Sequence, residues 1–276
     1  MPRDSLSSTH LRPSSPVQAR PPIARADLIA GMAKGLAVLE SFDLQRQRLN
    51  ATLAAERAGL TRAAARRHLL TLAHLGYLET DGSYFWLAPK VLGFSGSYLA
   101  TSRLPRTLQP TLNRLSQATG ASFSAVVLDG DACVIIARSA GLHEPVRQLA
   151  QGLHLGARLP AHATSTGQVL LACGPAEALQ TWLNGRELPR ITPHTETRRR
   201  AFRQLLAQVR RDDWCLARQT HELGIHALAV PLRNMQGQTL AALNVVGDAL
   251  QLSDAAVRAQ WLPLLQEAAR ELRPLL

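Results

Sequence analysis

The feature that most restricts the fold of this chain is a glycine corner at Gly59, between two helical patterns. A short helix is predicted over 52–58, and Thr61 is a good N-cap for a longer helix that runs to about Leu75. The small residue Ala55 lets two helices cross closely, and glycine permits the positive φ that reverses the chain. This spacing predicts a helix-turn-helix.

The helix after the corner has an apolar face and a basic face. Ala65, Leu69 and Leu72 recur at helical spacing and are expected to face the core. No acidic residue occurs between Glu56 and Glu79. The outward residues are Arg62, Ala63, Arg66 and Arg67. An arginine-bearing face without acidic groups fits the major groove of DNA, and a helical hairpin with a solvated basic face is the alternative.

A hairpin is predicted directly after this helix. The strand-like segments 77–80 and 83–87 are separated by Asp81-Gly82, which is typical of a two-residue type I′ turn. Next to a helix-turn-helix the hairpin is a wing, where Ser83 and Tyr84 would touch the DNA backbone or minor groove. The predicted DNA-binding residues are Thr52, Thr61, Arg62, Ala63, Arg66, Arg67, Ser83 and Tyr84.

The rest of the chain mixes helical and strand-like patterns. Met32, Leu36, Leu39 and Phe42 predict a first helix with one apolar stripe, and Pro89 begins a further helix over 90–100. Later helical patterns cover 108–115, 168–172, 176–183, 197–211 and 254–272. Strand-like patterns cover 122–128, 133–139, 214–219, 227–232 and 239–246. This order predicts an α+β protein with a sensor-like C-terminal region.

Four regions follow from these patterns. Residues 1–27 are rich in proline and serine and predict a disordered arm. Residues 28–88 form the winged helix-turn-helix domain, 89–103 the linker helix, and 104–276 the C-terminal domain. A length of 276 residues agrees with roughly two globular domains beyond the arm.

Composition narrows the class of protein further. The net charge is +11, which suits a nucleic-acid partner; the alternative is a genome of high GC content, which enriches arginine without a functional reason. Apolar residues make up 46% of the chain, yet no run reaches the length of a membrane span, and the polar N-terminal residues are not expected to act as a secretory signal. Three scattered cysteines form no C-x-x-C pair, so a cytoplasmic protein without disulfides is expected.

Enzyme and metal motifs are absent from the sequence. There is no G-x-S-x-G elbow, no Walker loop and no G-x-G-x-x-G after a strand. The histidines lack the i, i+4 spacing of a helical metal site, so neither a metal nor a cofactor is expected. An enzyme whose Ser-His-Asp group is brought together by folding stays open as an alternative.

Three segments resemble the IclR-type bacterial transcription regulators: GMAKGLAVLESF over 31–42, GLTRAAARRHLLTL over 59–72 and LPAHATSTGQVLL over 159–171. The segments 64–67, 81–87 and 104–106 look most like regulators of aromatic-acid catabolism, in the protocatechuate and 4-hydroxybenzoate branch. The resemblance implies a homodimer or tetramer on a palindromic double-stranded DNA operator. It also implies a GAF-like α/β C-terminal domain that binds a small carboxylated effector.

The effector site is expected around the loop that enters the helix near Gly167. Free backbone N–H groups there suit a carboxylate, although Thr164 or Ser165 could serve only as a helix cap. The resemblance adds positions on the later strands, where Arg218 replaces a commonly acidic residue and either faces the pocket or lies at the surface. The predicted effector set is His162, Ala163, Thr164, Ser165, Arg218, Gln219, Ala227 and Asn244.

Two further interpretations stay open at this point. The family often has a Ser or Cys where this chain has Ala227, and a Ser where it has Val246. These departures, together with Arg218, fit an effector-blind regulator whose C-terminal domain only oligomerises. The basic run that begins at Arg198 is either a solvated helix face or a second contact with phosphate.

Overall fold

The computed structural model describes residues 23–24, 26–43, 46–139, 141 and 153–276. The predicted disordered arm over 1–27 lies almost entirely outside the described residues. Within the described part, the chain divides into two compact units, and the change from the first to the second falls between Arg106 and Thr107. The domain bounds given above remain predictions.

The first unit contains three helices, a hairpin and a fourth helix. They are α1 (Ala30–Leu39), α2 (Ala51–Ala58), α3 (Arg62–His74), β1 (Leu78–Thr80), β2 (Phe85–Leu87) and α4 (Leu92–Thr101), with a 3-10 turn at Pro89–Val91 before α4. The strands β1 and β2 pair antiparallel. Ala65, Leu69 and Leu72 are buried on α3, as the sequence predicted. This arrangement is a winged helix-turn-helix.

The apolar stripe predicted on α1 is only partly a core face. Phe42 is buried after the helix, but Met32 is 64% and Leu36 is 53% exposed. The face that packs on α3 instead contains Val38, which is fully buried, and Gly35, whose added Cβ would lie 3.7 Å from the His68 ring. The inward face of α1 is therefore the side that contains Gly35 and Val38, and not the predicted stripe.

The wing is a hairpin, but its turn is not the two-residue type I′ turn that the sequence predicted. Thr80 pairs with Phe85, so residues 81–84 form a four-residue loop. The Asp81 carboxylate accepts hydrogen bonds from the backbone N–H groups of Ser83 (3.0 Å) and Tyr84 (2.8 Å). Within the loop only Gly82 has a positive φ, whereas a type I′ turn needs two such residues. The turn therefore begins at Asp81, whose side chain accepts from two backbone N–H groups later in the loop.

The second unit is an antiparallel sheet with helices on both faces. Its elements are α5 (Arg103–Thr119, which begins in the first unit), β3 (Ser122–Asp129), β4 (Ala132–Ser139), β5 (Arg158–Pro160), α6 (Ser165–Cys173), α7 (Ala176–Leu183), α8 (Arg199–Asp212), β6 (Cys215–Arg218), β7 (His226–Arg233), β8 (Thr239–Gly247), α9 (Asp254–Ala256) and α10 (Leu262–Leu272). A π-helical segment, Val257–Trp261, joins α9 to α10. The strand order is β5-β4-β3-β8-β7-β6. The predicted α+β fold class is confirmed, and the short strand β5 was not predicted.

The sheet curls around α6. The Thr164 hydroxyl, at the start of α6, lies 3.9 Å from the Cys133 sulfur on β4, whereas the Gln168 Oε1 lies 3.0 Å from the Cys215 sulfur on β6. In a flat sheet β4 and β6 would lie about 19 Å apart, at about 4.8 Å per strand. Four helical residues span only about 6 Å. The face toward α6 is therefore concave.

Residues Ser165–Ala172 of α6 are all buried in this concave face. A Cβ at Gly167 would meet the Ala161 carbonyl oxygen at 2.1 Å, so the close approach of α6 to the preceding turn requires glycine. The opposite face of the sheet packs on the C-terminal helices, where the Phe123 and Trp261 rings lie 6.4 Å apart. In the part of the chain that the structure describes, no helix is long and apolar enough to cross a membrane.

Candidate DNA-binding and effector-binding sites

The helix-turn-helix is held by side chains that cap its two helices, and one of them, Thr61, was predicted from the sequence. Asn50 Oδ1 accepts hydrogen bonds from Thr52 N (3.1 Å) and Leu53 N (3.0 Å) at the start of α2. Gly59 ends α2 in the left-handed conformation at φ +65°, and Thr61 Oγ1 accepts from Ala64 N (3.3 Å) at the start of α3. These local hydrogen bonds fix the angle at which α3 leaves the corner.

The eight predicted DNA-binding residues are all exposed in the first unit. Among the described residues, no carboxylate pairs with Arg62, Arg66 or Arg67. Arg57 of α2 differs from these three, because it pairs with Asp43 and donates to the Ser41 carbonyl (2.6 Å). The three arginines of α3 therefore form the basic surface available to a phosphate or a base edge.

One arginine that sequence reasoning missed, Arg48, precedes α2 and contacts the wing. The Arg48 guanidinium pairs with Asp81 at 2.5 Å and lies 4.6 Å from the centre of the Trp86 ring. The backbone N–H groups of Tyr84 and Ser83 hold the pKa of Asp81 below its ordinary value, with a smaller effect from Arg48. Arg48 thus braces the loop that presents Ser83 and Tyr84.

The predicted effector loop is mostly bonded within the protein. His162 Nε2 lies 2.8 Å from the Pro189 carbonyl, and the Ala163 carbonyl accepts a hydrogen bond from Thr220 Oγ1 at 2.6 Å. Thr164 caps α6, because its Oγ1 accepts from Gly167 N at 3.2 Å. Ser165 differs from these residues: it is 1% exposed and its Oγ has no hydrogen-bond partner.

Asn244 brings a second unpartnered atom to the concave face. Its Oδ1 is buried without a hydrogen-bond partner. Asn244 lies directly opposite Ser124 on β3 and Ala229 on β7, and opposed residues of neighbouring strands share a face. The next row on that face contains Ser122, Val246, Ala227 and Ala217. Apart from Val246 these side chains are small, and Ala227 and Val246 are partly exposed.

Arg218 and Gln219 do not reach this floor. Arg218 is directly opposite His226 on β7, and His226 is directly opposite Gly247 on β8. These residues belong to the other face of the sheet. The Arg218 side chain is 51% exposed and its guanidinium pairs with Asp254. Gln219 has a φ of +57°, and its Oε1 accepts from Gly224 N (3.0 Å) in the same turn. The arginine that departs from the family pattern is therefore a surface residue.

A different arginine lies on the concave face. Arg138 of β4 is directly opposite Ser124, in the same row as Asn244, and its side chain is partly buried. Burial lowers the pKa of its guanidinium. Sequence reasoning missed Arg138, because a lone arginine in a strand-like run gives no sign of its row partners.

A cleft lies between α6, α7 and α8, away from the concave-face row of Asn244. It has a volume of about 330 Å³ and is lined by apolar residues that include Leu179, Leu183 and Leu206, with Arg203 and Arg210 beside them. Arg210 is tied to the carbonyls of Ala172 and Gly174. Among the described residues, none of the buried polar atoms that lack a partner lines this cleft. It is the weaker candidate for a polar ligand.

The cysteines and the other residue types that ligate metals do not form a metal site among the described residues. Burial raises the pKa of Cys133 and Cys215 to about 12 and that of Cys173 to about 11, so these thiols stay protonated near neutral pH. Within the described residues, no group of three or more His, Cys, Asp or Glu side chains is placed to hold a metal ion.

A winged helix-turn-helix joined to a sensor-type sheet domain defines a ligand-responsive transcription regulator. Residues 31–82 match the IclR helix-turn-helix domain, and residues 96–273 match the C-terminal domain of the bacterial transcriptional regulator IclR. The chain belongs to the IclR family of bacterial transcriptional regulators. The predicted family, and the prediction of a regulator and not an enzyme, are confirmed by these matches.

Two curated relatives come from Acinetobacter baylyi. The chain is 51% identical to its Pca operon regulatory protein, over 92% of this chain and 91% of that protein. It is 49% identical to its p-hydroxybenzoate hydroxylase transcriptional activator, over 92% of this chain and 94% of that protein. The predicted likeness to regulators of aromatic-acid catabolism is therefore confirmed.

Two solved structures of similar proteins contain an aromatic acid. One is the inducer-binding domain of a PobR double mutant from Acinetobacter in complex with 3-hydroxybenzoic acid (44% identity, TM-score 0.58, 62% of this chain and 98% of that chain). The other is an IclR homologue from Microbacterium hydrocarbonoxydans in complex with 4-hydroxybenzoate (29% identity, TM-score 0.69, 88% of this chain and 97% of that chain).

Proposed function

We propose that this chain regulates the transcription of genes for aromatic-acid catabolism, and that it responds to a small aromatic carboxylate bound on the concave face of the second unit. The observation that carries the proposal is the pair of buried polar atoms, Ser165 Oγ and Asn244 Oδ1, without partners in the protein. A buried polar atom without a partner is costly, and a ligand that hydrogen-bonds to it removes that cost. The residues that lie beside Asn244 on this face, Ser124 and Ala229, have small side chains.

The relatives support an aromatic acid as the effector class. Two solved neighbours hold hydroxybenzoates, and two curated relatives are named for the pca operon and for p-hydroxybenzoate hydroxylase. Within the predicted effector set, we keep Ser165, Asn244 and Ala227 as contacts and His162, Ala163 and Thr164 as the bonded frame of the loop. Arg218 and Gln219 are left out, because their side chains are engaged elsewhere.

For DNA, we propose that α3 enters the major groove and that the wing touches the backbone or minor groove. Arg62, Arg66 and Arg67 are exposed without a carboxylate partner among the described residues. Thr52, Thr61 and Ala63 lie beside them, and Ser83 and Tyr84 project from the braced loop. Phosphate contacts by arginine predict affinity that falls steeply with salt.

A homodimer is proposed from the apolar surface of the first unit. Helix α4 has no buried residue, and Leu92, Phe94 and Tyr98 on it are 67%, 63% and 47% exposed. Met32 and Leu36 on α1 are exposed as well. Exposed large apolar residues at this density are typical of an association surface, and a two-fold dimer matches a palindromic operator. Met32→Glu and Leu36→Glu are expected to shift the mass measured by light scattering toward the monomer.

The effector proposal is tested by thermal unfolding of the full chain with 3-hydroxybenzoate, 4-hydroxybenzoate, protocatechuate and aliphatic dicarboxylates. A ligand at 100 times its Kd stabilises the folded state by about 2.7 kcal/mol, which raises Tm by several degrees. We expect one of the aromatic acids to do so. No response to any of them contradicts the proposal and favours the effector-blind alternative, in which the second unit only assembles the oligomer.

A further inference from the structure

We infer that Tyr77, Lys90 and Phe94 form a joint that fixes the direction of α4 relative to the winged helix-turn-helix. In a dimer this joint sets which spacing between two operator half-sites the protein accepts. The inference rests on the proposed function, in which α3 reads DNA and the apolar surface of α1 and α4 holds two copies together. The three residues are positioning residues, since none of them belongs to the predicted DNA-binding set.

Tyr77 connects the core of the first unit with α4. Its side chain packs against the buried core, and its ring also stacks on the Phe94 ring of α4, with the ring centres 5.6 Å apart and the planes 12° apart. The Tyr77 carbonyl accepts a hydrogen bond from Ala88 N at 2.9 Å, directly before the 3-10 turn that leads into α4. The side chain and the backbone of Tyr77 therefore both hold the start of α4.

Lys90 connects the DNA-reading helix with the same segment. Its Nζ donates to the Leu75 carbonyl (2.8 Å), at the C-cap of α3, and lies 4.7 Å from the centre of the Tyr77 ring. A cation is favoured at the C-terminal end of a helix, because the last carbonyls lack partners within the helix. Lys90 itself lies in the 3-10 turn directly before α4. One ammonium group thus joins the end of α3 to the start of α4.

These contacts matter because α4 is not part of the core. The buried core of the first unit is formed by residues of α1, α2, α3, the wing and the chain between them, and none of its members belongs to α4. No residue of α4 is itself buried. A helix without buried side chains takes its direction from the few contacts near its start, so loss of the joint frees α4 to tilt.

A small tilt at the joint moves the DNA-reading part of α3 by about one base pair. Lys90 holds the C-terminal end of α3, and Arg66 lies about 14 Å before that end at 1.5 Å per residue. A tilt of about 15° therefore displaces Arg66 by about 3.6 Å, close to the rise of about 3.4 Å for one base pair. A rigid joint restricts the two copies of α3 to one separation, whereas a loose joint tolerates several.

The test is fluorescence anisotropy of the full chain on four DNA fragments. One is an operator selected from random DNA with the parent chain, two have one base pair added or removed between its half-sites, and the last contains a single half-site. One base pair moves a half-site by about 3.4 Å and rotates it by about 35°. The parent chain is expected to bind the selected spacing more tightly than either altered spacing.

Tyr77→Leu keeps an apolar side chain against the core but removes the stacking on Phe94 and the contact with the Lys90 ammonium. Its preference for the selected spacing is expected to fall by about 10-fold, because an aromatic pair and a cation–π contact no longer hold α4. Affinity for the single half-site is expected to stay unchanged. Lys90→Met, at an exposed position, is expected to change the preference in the same direction, and it serves if Tyr77→Leu does not fold.

Two matched controls separate the joint from general effects of substitution. Tyr77→Phe keeps the ring, so it retains the stacking and the cation–π contact. Lys34→Met removes the other lysine of the chain, which is exposed on α1 about half a turn from Met32 and Leu36. Both controls are expected to keep the spacing preference of the parent chain and its mass in light scattering.

The outcomes separate this inference from the proposed function. If the parent chain prefers one spacing and the folded Tyr77→Leu and Lys90→Met variants keep that preference, the joint is overturned and the proposed function stands. An equal loss of affinity for the operator and the single half-site, or a mass that falls to the monomer, also overturns the positioning role. If the parent chain shows no spacing preference, the proposed dimer on a palindromic operator fails, and the inference fails with it.

Discussion

Helices α3 and α6 are both short and begin at a threonine cap, yet their surroundings are opposite. Helix α3 exposes Arg62, Arg66 and Arg67, whereas every residue of α6 from Ser165 to Ala172 is buried. A ligand of α3 must approach from outside and contact its side, as DNA does in the major groove. A ligand near α6 must fit a space bounded by the sheet, so its size and its hydrogen-bonding groups are limited. The two helices therefore predict very different responses to substitution.

The largest effect on stability is expected at Gly167 of α6. Gly167→Ala places a Cβ 2.1 Å from the Ala161 carbonyl oxygen, inside a helix with no free side. We expect a loss of about 2–4 kcal/mol in the free energy of unfolding, measured with urea. Gly96→Ala in the exposed helix α4 is the control, since no heavy atom lies within 4 Å of its added Cβ. If Gly167→Ala lowers the free energy of unfolding no more than the control does, the close packing of α6 on Ala161 is contradicted.

The next largest effect is expected on DNA binding by α3. Arg66→Ala or Arg67→Ala should weaken specific binding by about 1–3 kcal/mol if the side chain reads a base, without a loss of stability. The measurement is fluorescence anisotropy on a selected operator fragment and on random DNA, at several salt concentrations. An equal loss on both DNAs would assign that arginine to phosphate. Arg114→Ala, whose side chain pairs with Glu271 in the second unit, is expected to change neither affinity.

The threonine caps of α3 and α6 differ in burial, since Thr61 is exposed and Thr164 is buried. Thr61→Ala removes the hydroxyl that accepts from Ala64 N, and we expect a loss of about 1 kcal/mol in the free energy of unfolding. Thr164→Ala should cost more, because its hydroxyl is buried and also donates to the Pro160 carbonyl (3.3 Å). Thermal or urea unfolding measures both variants under the same conditions. A larger loss at Thr61 would reverse the ranking of the two helices.

The smallest effect is expected from the exposed Asp81 in the wing. Its pKa is lower in the folded chain than the ordinary value of 3.8, mainly through the N–H groups of Tyr84 and Ser83. Its stabilising effect is therefore complete above the unfolded pKa and is lost as the pH falls through the folded pKa. Asp81→Asn should flatten the decline of stability below about pH 4, measured by urea unfolding at pH 6 and pH 3. The control is Asp27→Asn. If the stability of both variants depends on pH in the same way, Asp81 makes no such contribution.

The parts of the fold that depend on local chemistry were predictable from the sequence. The cap at Thr61, the corner at Gly59 and the buried face of α3 follow from neighbouring residues, and the structure contains all three. The bounds of α7, Ala176–Leu183, also match the prediction. The turn of the wing was wrong because the Asp81 side chain, and not the backbone preference of Asp-Gly, decides its length.

The effector site was harder to predict because it depends on strand register. Ser124 and Asn244 are far apart in the chain and become neighbours only through the pairing of β3 and β8. Arg218 was misleading for the same reason, since a strand residue next to an inward residue points to the other face. No pattern within either segment shows which face will meet α6.

We propose that an aromatic acid binds between α6 and the concave face of the sheet. A crystal structure of the full chain grown with 4-hydroxybenzoate tests it most directly. We expect the ring to lie against the concave face, with its polar groups hydrogen-bonded to Ser165 Oγ and Asn244 Oδ1. A ring found instead in the cleft between α6, α7 and α8, beside Leu179 and Arg203, would contradict it.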